Sequence, residues 1–540
     1  MTRDDTAPPP AADVPPPPHG PRRSPKPPLT RRAPGRVWAA AGALGAAAAV
    51  AAYLVMPAKP PAEPGGAQLR GAPVLADSVA ASVDGREDRV QGLSVVEVEG
   101  EETRFLTGGT IDGERPVRED TRFATGSVFK VFTAMALADL AADGETSLDR
   151  TLGEVFADLD FASPATAAIT LEELAAHRSG LPRIPAGGMA AGVVTPFTGT
   201  DPYRAMPPVR ESLAAAVPVQ GGPEWSYSNF GYAVLGAALA EEAGIPYPRL
   251  VRERVLDPLG MDDTVMRGAD RDGLPRHAAL PHSVPGKRVQ AWRSREYLPV
   301  GIGTWTTAGD MARFLRAVVD GSAPGSAATK PLHDGPVSET RTGLGWLTTD
   351  FGGGVELVQH SGATYGATAF IGFQGERGAV VLSNSFSADA ATIGPRLLDA
   401  PDVPPLAASP AASPVVGLAT TLPPVLLPPL MALSLMLRRR TLVGQRPLDR
   451  LRIVSMTAGT SAALLAALPL GDWVSTPPAL WAASAGTVVA AGAVGVWHWP
   501  RAAVEAGRVR WLHAACFGLS LLVSTAVLLT SVHALLAAYG

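Results

Sequence analysis

Ala124-Thr-Gly-Ser127-Val-Phe-Lys130 is the stretch on which the reading of this chain turns. Apolar residues follow at Val128, Val131, Phe132 and Met135 with a helical period, so a helix starts here. Ser127 then sits in its first turn, after Gly126, and Lys130 lies one turn later on the same face. The positive end of a helix favours a developing anion, and an amine beside a serine can take its proton. The lysine is informative because only five of the 46 basic residues are lysine. Arginine cannot act as a base, whereas a buried lysine can be neutral. Taken alone, S-x-x-K is equally compatible with a helix-capping serine and a surface lysine.

Two further clusters add chemistry. Trp225-Ser-Tyr227-Ser-Asn229-Phe-Gly-Tyr232 leads into an apolar helix at Ala233–Leu239 and presents a tyrosine and an asparagine two residues apart. Tyr227 relays a proton if a neighbouring ammonium lowers its pKa; a buried tyrosine beside an asparagine helix cap is the plainer alternative. Gln359-His360-Ser361-Gly362-Ala363-Thr364 ends one expected strand just before another. Here Gly362 admits the close approach of a ligand backbone, and His360 can exchange hydrogen bonds or be purely structural.

Around these clusters the chain divides by composition. Residues 1–36 hold 12 prolines and a run of arginines, which predicts a disordered tail. Val37 to Met56 is apolar and uncharged, and a membrane anchor over 37–57 fits better than a cleaved signal peptide. A linker over 58–74 and a globular domain over 75–400 follow. Expected strands are Leu93–Glu99, Thr103–Thr107, Val355–Gln359, Ala367–Phe373 and Ala379–Ser383, with a helix-rich stretch over 127–320. Strands at both ends and helices between predict a mixed α/β (α+β) domain whose antiparallel sheet is closed by its two termini. After a Pro/Ala linker at 401–414, residues 415–540 read as four membrane helices at 415–437, 453–470, 478–499 and 511–537. Arginines collect in the loops 438–452 and 501–510, while 471–477 carries only Asp472. Positive loops stay inside, so the tail is expected to be cytoplasmic and the domain extracytoplasmic.

Composition also excludes function classes. The chain has 540 residues and a net charge of −4, which gives no electrostatic reason for a nucleic-acid partner. One cysteine, Cys516, rules out a disulfide framework, and nine scattered histidines offer no zinc-like spacing. There is no G-x-S-x-G, no H-E-x-x-H and no P-loop, and neither a metal nor a cofactor is implied.

The three clusters, in this order, resemble the serine β-lactamase and DD-peptidase (penicillin-binding protein) superfamily, and within it the class C β-lactamase family. Ile169-Thr-Leu-Glu-Glu-Leu-Ala-Ala-His177-Arg-Ser-Gly180-Leu-Pro182, Leu256-Asp-Pro-Leu-Gly-Met261 and Thr306-Thr-Ala-Gly-Asp310-Met-Ala-Arg-Phe314 are similar to it too. The resemblance covers about residues 75–395. It implies a nucleophile at Ser127, a catalytic Lys130, proton transfer at Tyr227, positioning by Asn229 and an oxyanion hole from the backbone amides of Ser127 and Ala363. His360-Ser-Gly362 matches the family's Lys-Thr-Gly substrate strand with histidine in place of lysine, as in peptidase and esterase members, which weakens the case for a carboxylate-binding β-lactamase. His177 and Gly180 are expected to be structural, a helix end closed by glycine. The implied activity is that of a membrane-anchored serine hydrolase acting through an acyl-serine on a D-alanyl peptide, a β-lactam or an ester, with peptidoglycan a candidate substrate. A wall-peptide or penicillin sensor with slow or no turnover is the alternative.

Overall fold

The computed structural model describes residues 33–58, 68–188, 195, 198–218, 224–268, 272–352, 354–401, 403–408, 413–438, 448–500, 502 and 510–539. The expected tail and most of the two arginine-rich loops lie outside the described residues.

The expected strands share one nine-stranded sheet. Its order is Arg70–Gly71, Glu102–Gly109, Gly92–Glu99, Arg377–Ser383, Ala367–Gln374, Glu356–Thr364, Leu347–Asp350, Thr340–Thr342 and His333–Asp334. Every neighbouring pair is antiparallel. The Gly92–Glu99 strand near the start of the domain pairs with Arg377–Ser383 near its end, so the two termini do close the sheet. Alternation explains why these strands read as nearly continuous apolar runs. Leu93 and Val95 face one core with Val381 and Phe370, while Val96 and Val98 face the other with Val380 and Ile371. Helices Pro73–Val83 and Ala390–Leu397 cover the first face, and Ala308–Val319 with the helical lobe covers the second.

Three expectations change. Residues 58–74 are not all linker, because Arg70–Gly71 pairs with Leu106 and Thr107 as the edge strand. The strand expected to end at Gln359 runs on through Thr364, carrying the His360 cluster inside the sheet. The short strands at 333–334, 340–342 and 347–350 carry little apolar alternation and were not expected.

Five helices are long and apolar enough to cross a membrane: Gly35–Val55, Pro414–Arg438, Arg450–Leu470, Pro478–His498 and Arg510–Tyr539. Gly45 and Gly486 bring the first and fourth so close that a methyl group on Gly45 would sit 2.7 Å from the Gly486 carbonyl oxygen. Small residues permit such packing where no hydrophobic force separates protein from lipid. Pro414–Arg438 is helical throughout despite four internal prolines.

The bundle docks onto the domain through the loop after Leu470. Arg89, fully buried, makes a 2.8 Å ion pair with Asp472 and donates to Ser475 Oγ at 2.6 Å. Lys287 Nζ donates to the Gly471 carbonyl at 2.8 Å, and the Arg288 amide donates to Tyr539 Oη at 2.9 Å. Burial opposes ionisation of Asp472, but the adjacent Arg89 guanidinium more than offsets it and holds the carboxyl below its usual range.

Removing one partner of such a pair strands a buried charge. Asp472→Ala is expected to cost about 3–5 kcal/mol, read as a lower denaturation midpoint of the full-length protein. The double variant Arg89→Met/Asp472→Leu should recover most of that loss.

Candidate active site

The helix Phe129–Ala142 is buried almost all round, with 11 of its 14 residues inside the domain. It therefore carries Lys130 into the core, where the side chain is fully buried. Gly126–Val128 forms a single 3₁₀ turn before it, so Ser127 precedes the helix proper. Gly126 takes φ +49°, a left-handed conformation that favours glycine.

Four acceptors surround the lysine. Nζ lies 2.9 Å from Ser127 Oγ, 2.7 Å from Tyr227 Oη, 2.9 Å from Asn229 Oδ1 and 3.5 Å from the Val300 carbonyl oxygen. Tyr227 donates to Ser127 Oγ at 2.7 Å, closing a three-membered ring of polar groups. Burial, with the Arg183 charge adding to it, pushes the Lys130 ammonium well below the usual lysine range. Burial likewise pushes the Tyr227 phenol up, and the hydrogen bond to Ser127 and the Arg183 charge only partly oppose this. The core does not favour the expected ammonium that would acidify Tyr227: desolvation disfavours the charged form of both the amine and the phenol.

The helix Asn229–Ala243 supplies the third side chain. Its N-cap is Ser228, whose Oγ accepts from the Gly231 amide at 2.8 Å and donates to the Pro182 carbonyl at 2.7 Å. Asn229 is therefore not a cap. Its amide is free to meet Lys130 with oxygen and Tyr203 Oη with nitrogen at 2.8 Å.

His177 supports the tyrosine. The helix Leu171–Ala175 closes with His177 itself in a left-handed conformation, φ +58°, not with Gly180 as expected. The His177 amide donates to the Leu174 carbonyl and the Arg178 amide to the Glu173 carbonyl, a Schellman closure with histidine in the glycine position. Nδ1 accepts from the Ser228 amide at 3.2 Å, and the ring lies 4.4 Å from that of Tyr227.

The Glu356–Thr364 strand passes beside the serine turn. A methyl group on Gly362 would sit 2.3 Å from the Thr125 carbonyl oxygen and 2.9 Å from the Ser127 amide nitrogen. One on Gly126 would sit 2.8 Å from the Ala363 amide nitrogen. The room left by Gly362 is filled by the chain's own backbone and not, as expected, by a ligand's. On the far side, a methyl group on Gly301 would overlap the Gly126 carbonyl. His360 points inward from the strand and is buried, and burial, with Lys130 nearby, lowers its pKa to about 3. It is a neutral ring and not a substitute for a charged lysine.

Two residues escaped the sequence reading. Tyr203 orients Asn229 from a stretch without apolar period. Arg183, exposed, stacks its guanidinium 5.0 Å from the Tyr227 ring centre, with no carboxylate partner among the described residues. Its place directly after Leu181-Pro182 was the available signal.

A sequence model of the family named Beta-lactamase matches residues 75–401. Esterase EstB of Burkholderia gladioli is 29% identical over 294 residues, covering 48% of this chain and 74% of that protein. The D-alanyl-D-alanine-carboxypeptidase/endopeptidase AmpH of Escherichia coli is 27% identical over 240 residues, covering 42% and 56%. The chain spans only 60% of the length of other curated relatives that it matches at 29% identity. A solved class C beta-lactamase superimposes with a TM-score of 0.51 at 18% identity, covering 61% of this chain and 97% of that one.

Because the Gly362 seam is backbone against backbone, Gly362→Ala has to push the serine turn off the strand. The expected cost is about 1–3 kcal/mol, read as a lower melting temperature. The rate of Ser127 labelling by an acylating probe should fall by roughly a hundredfold.

Proposed function

The chain belongs to the beta-lactamase family, and from that premise we propose that it is a membrane-anchored serine hydrolase working through an acyl-Ser127 intermediate. The observation that carries this reading is the buried Lys130 amine, its pKa pushed down by desolvation, within hydrogen-bond reach of Ser127, Tyr227 and Asn229. Ser127 Oγ attacks a carbonyl carbon and passes its proton to Lys130. The tetrahedral oxyanion is held by the amides of Ser127 and Ala363, which face each other across the Gly126/Gly362 seam. On collapse the leaving group takes the Tyr227 proton, and Lys130 restores it. Water then repeats the sequence in reverse roles and releases the acyl group.

Candidate substrates are D-alanyl wall peptides, β-lactams and esters; EstB and AmpH, by name an esterase and a D-alanyl-D-alanine carboxypeptidase, support the first and last. His360 is uncharged, so the positive charge available to a substrate carboxylate comes from Arg183. The same bundle ends that touch the domain, Gly471 and Tyr539, lie opposite the ends bearing Arg36 and Arg450. The positive-inside rule then makes residues 1–36 cytoplasmic and puts the domain outside, anchored by 37–57 and by the helices of 415–540.

Ser127→Ala and Lys130→Ala should each abolish the covalent adduct seen by mass spectrometry with a penicillin, an activated ester or a D-Ala-D-Ala peptide, and the double variant should be little worse. Only a neutral Lys130 is a base, so acylation should rise as pH climbs through its depressed pKa. A rate that falls between about pH 6 and 9 would exclude this role. Arg183→Gln should slow carboxylate-bearing donors roughly tenfold more than neutral esters, the scale of one charged hydrogen bond.

For topology, a cysteine at the exposed position 477, in a Cys516→Ser background, should react with an impermeant thiol reagent on intact cells. A cysteine placed in 441–447 should not, and reaction there would invert the orientation.

A further inference from the structure

A cavity of about 290 Å³ lies where the last membrane helix meets the domain. Arg204, Arg288 and Arg293 line it against one acid, Asp201, and the wall on the bundle side is Ala537 and Ala538. The Asp201 carboxylate is already engaged, accepting from the Tyr203 amide at 2.9 Å and the Arg293 amide at 2.7 Å.

Arg288 is the informative residue. It is half-buried, and its guanidinium stacks 5.4 Å from the ring centre of Tyr539 at the end of the last helix. Stacking uses the flat face and leaves the N–H edge to bind, and no acceptor for that edge is present among the described residues. The carboxylate that Arg288 feels, Asp112, is held by Arg115 Nε at 2.7 Å and by the amides of Glu114 and Arg115. Burial pushes the Arg288 guanidinium below its ordinary value, with Tyr539 and Asp112 opposing in part. A half-buried guanidinium whose edge meets no protein acceptor favours an anion.

The surroundings say what carries that anion. Exposed Leu529, Val532 and Leu536 run up the last helix to Ala537 at the cavity. A narrow crevice adjoins it and shares Arg288; Leu468, Pro469, Ala534 and Leu535 line it on the bundle side, and Lys287 and Thr198 on the domain side. Charge above and an apolar ridge below match an amphiphile at the membrane interface. We infer that this cavity binds the phosphate of an anionic phospholipid headgroup, with the acyl chains lying along the last helix. The inference rests on reading that helix as a membrane span and on nothing in the hydrolase chemistry.

The test is native mass spectrometry of the full-length protein, released from nanodiscs containing either phosphatidylglycerol or phosphatidylcholine. The expected result is one retained phosphatidylglycerol, preferred roughly tenfold over phosphatidylcholine, as about one interfacial charge contact provides. Arg288→Gln should lose the preference and Arg288→Lys should keep part of it. Ala538→Trp, which fills the cavity and leaves Arg288 in place, should lose the lipid altogether. Equal retention of the two lipids by the unaltered protein overturns the inference, as does an unchanged preference in a folded Arg288→Gln or Ala538→Trp variant. Displacement of phosphatidylglycerol by millimolar inorganic phosphate would also overturn it, since the site would then be one for free phosphate.

Discussion

Burial of a single amine organises the domain. Lys130 sits with no exposed surface on a helix that is apolar on every side. An isolated ammonium there would carry a large desolvation penalty, so its pKa is pushed down and the group gathers polar partners. Those partners come from three separate parts of the chain: the turn at 126–128, the helix start at 227–229 and the carbonyl of Val300. Satisfying the amine and assembling the candidate site are therefore one requirement. The fold needs the ring of hydrogen bonds to close, and closing it sets a serine beside a buried amine.

Glycines set how tightly the pieces meet. The serine turn is held between Gly301 on one side and Gly362 on the other, with backbone against backbone at both seams. No side chain could be as reproducible a spacer, because peptide atoms have fixed geometry while side chains rotate. His177 does comparable work for Tyr227, holding a left-handed backbone that histidine seldom adopts and giving the phenol ring a face to rest on. Strain of this kind persists when the surrounding structure over-determines it, and here the Ser226 and Ser228 amides both bond to His177.

The bundle of apolar helices is more than a tether. Arg89 precedes the strand Gly92–Glu99, and its carbonyl accepts from Ser385 and Ser387 just beyond the strand Arg377–Ser383. Its guanidinium reaches Asp472 in the bundle. One residue thus joins two interior strands of the sheet to the loop between two apolar helices, and the pairing is dry enough to be specific.

Much of this was legible in the residues. The apolar period after Ser127 predicts the helix, alternation predicts five long strands, and uninterrupted apolar runs predict five spans, because each depends only on local repetition. The scarcity of lysine marked Lys130 before any geometry was known. What the sequence left open depended on partners distant in the chain. Whether Asn229 caps a helix or meets Lys130 was decided by Ser228 taking the cap. Whether Tyr227 is acidified depended on the charge of its neighbour, and burial in the assembled core reversed the expected sign. Gly362 announced a close approach but not what approaches, and His177 showed no sign that it, in place of Gly180, ends its helix. Sequence determines periodicity and composition because these are properties of neighbours along the chain. Protonation, capping and contact are properties of neighbours in space, and only the tertiary structure sets those.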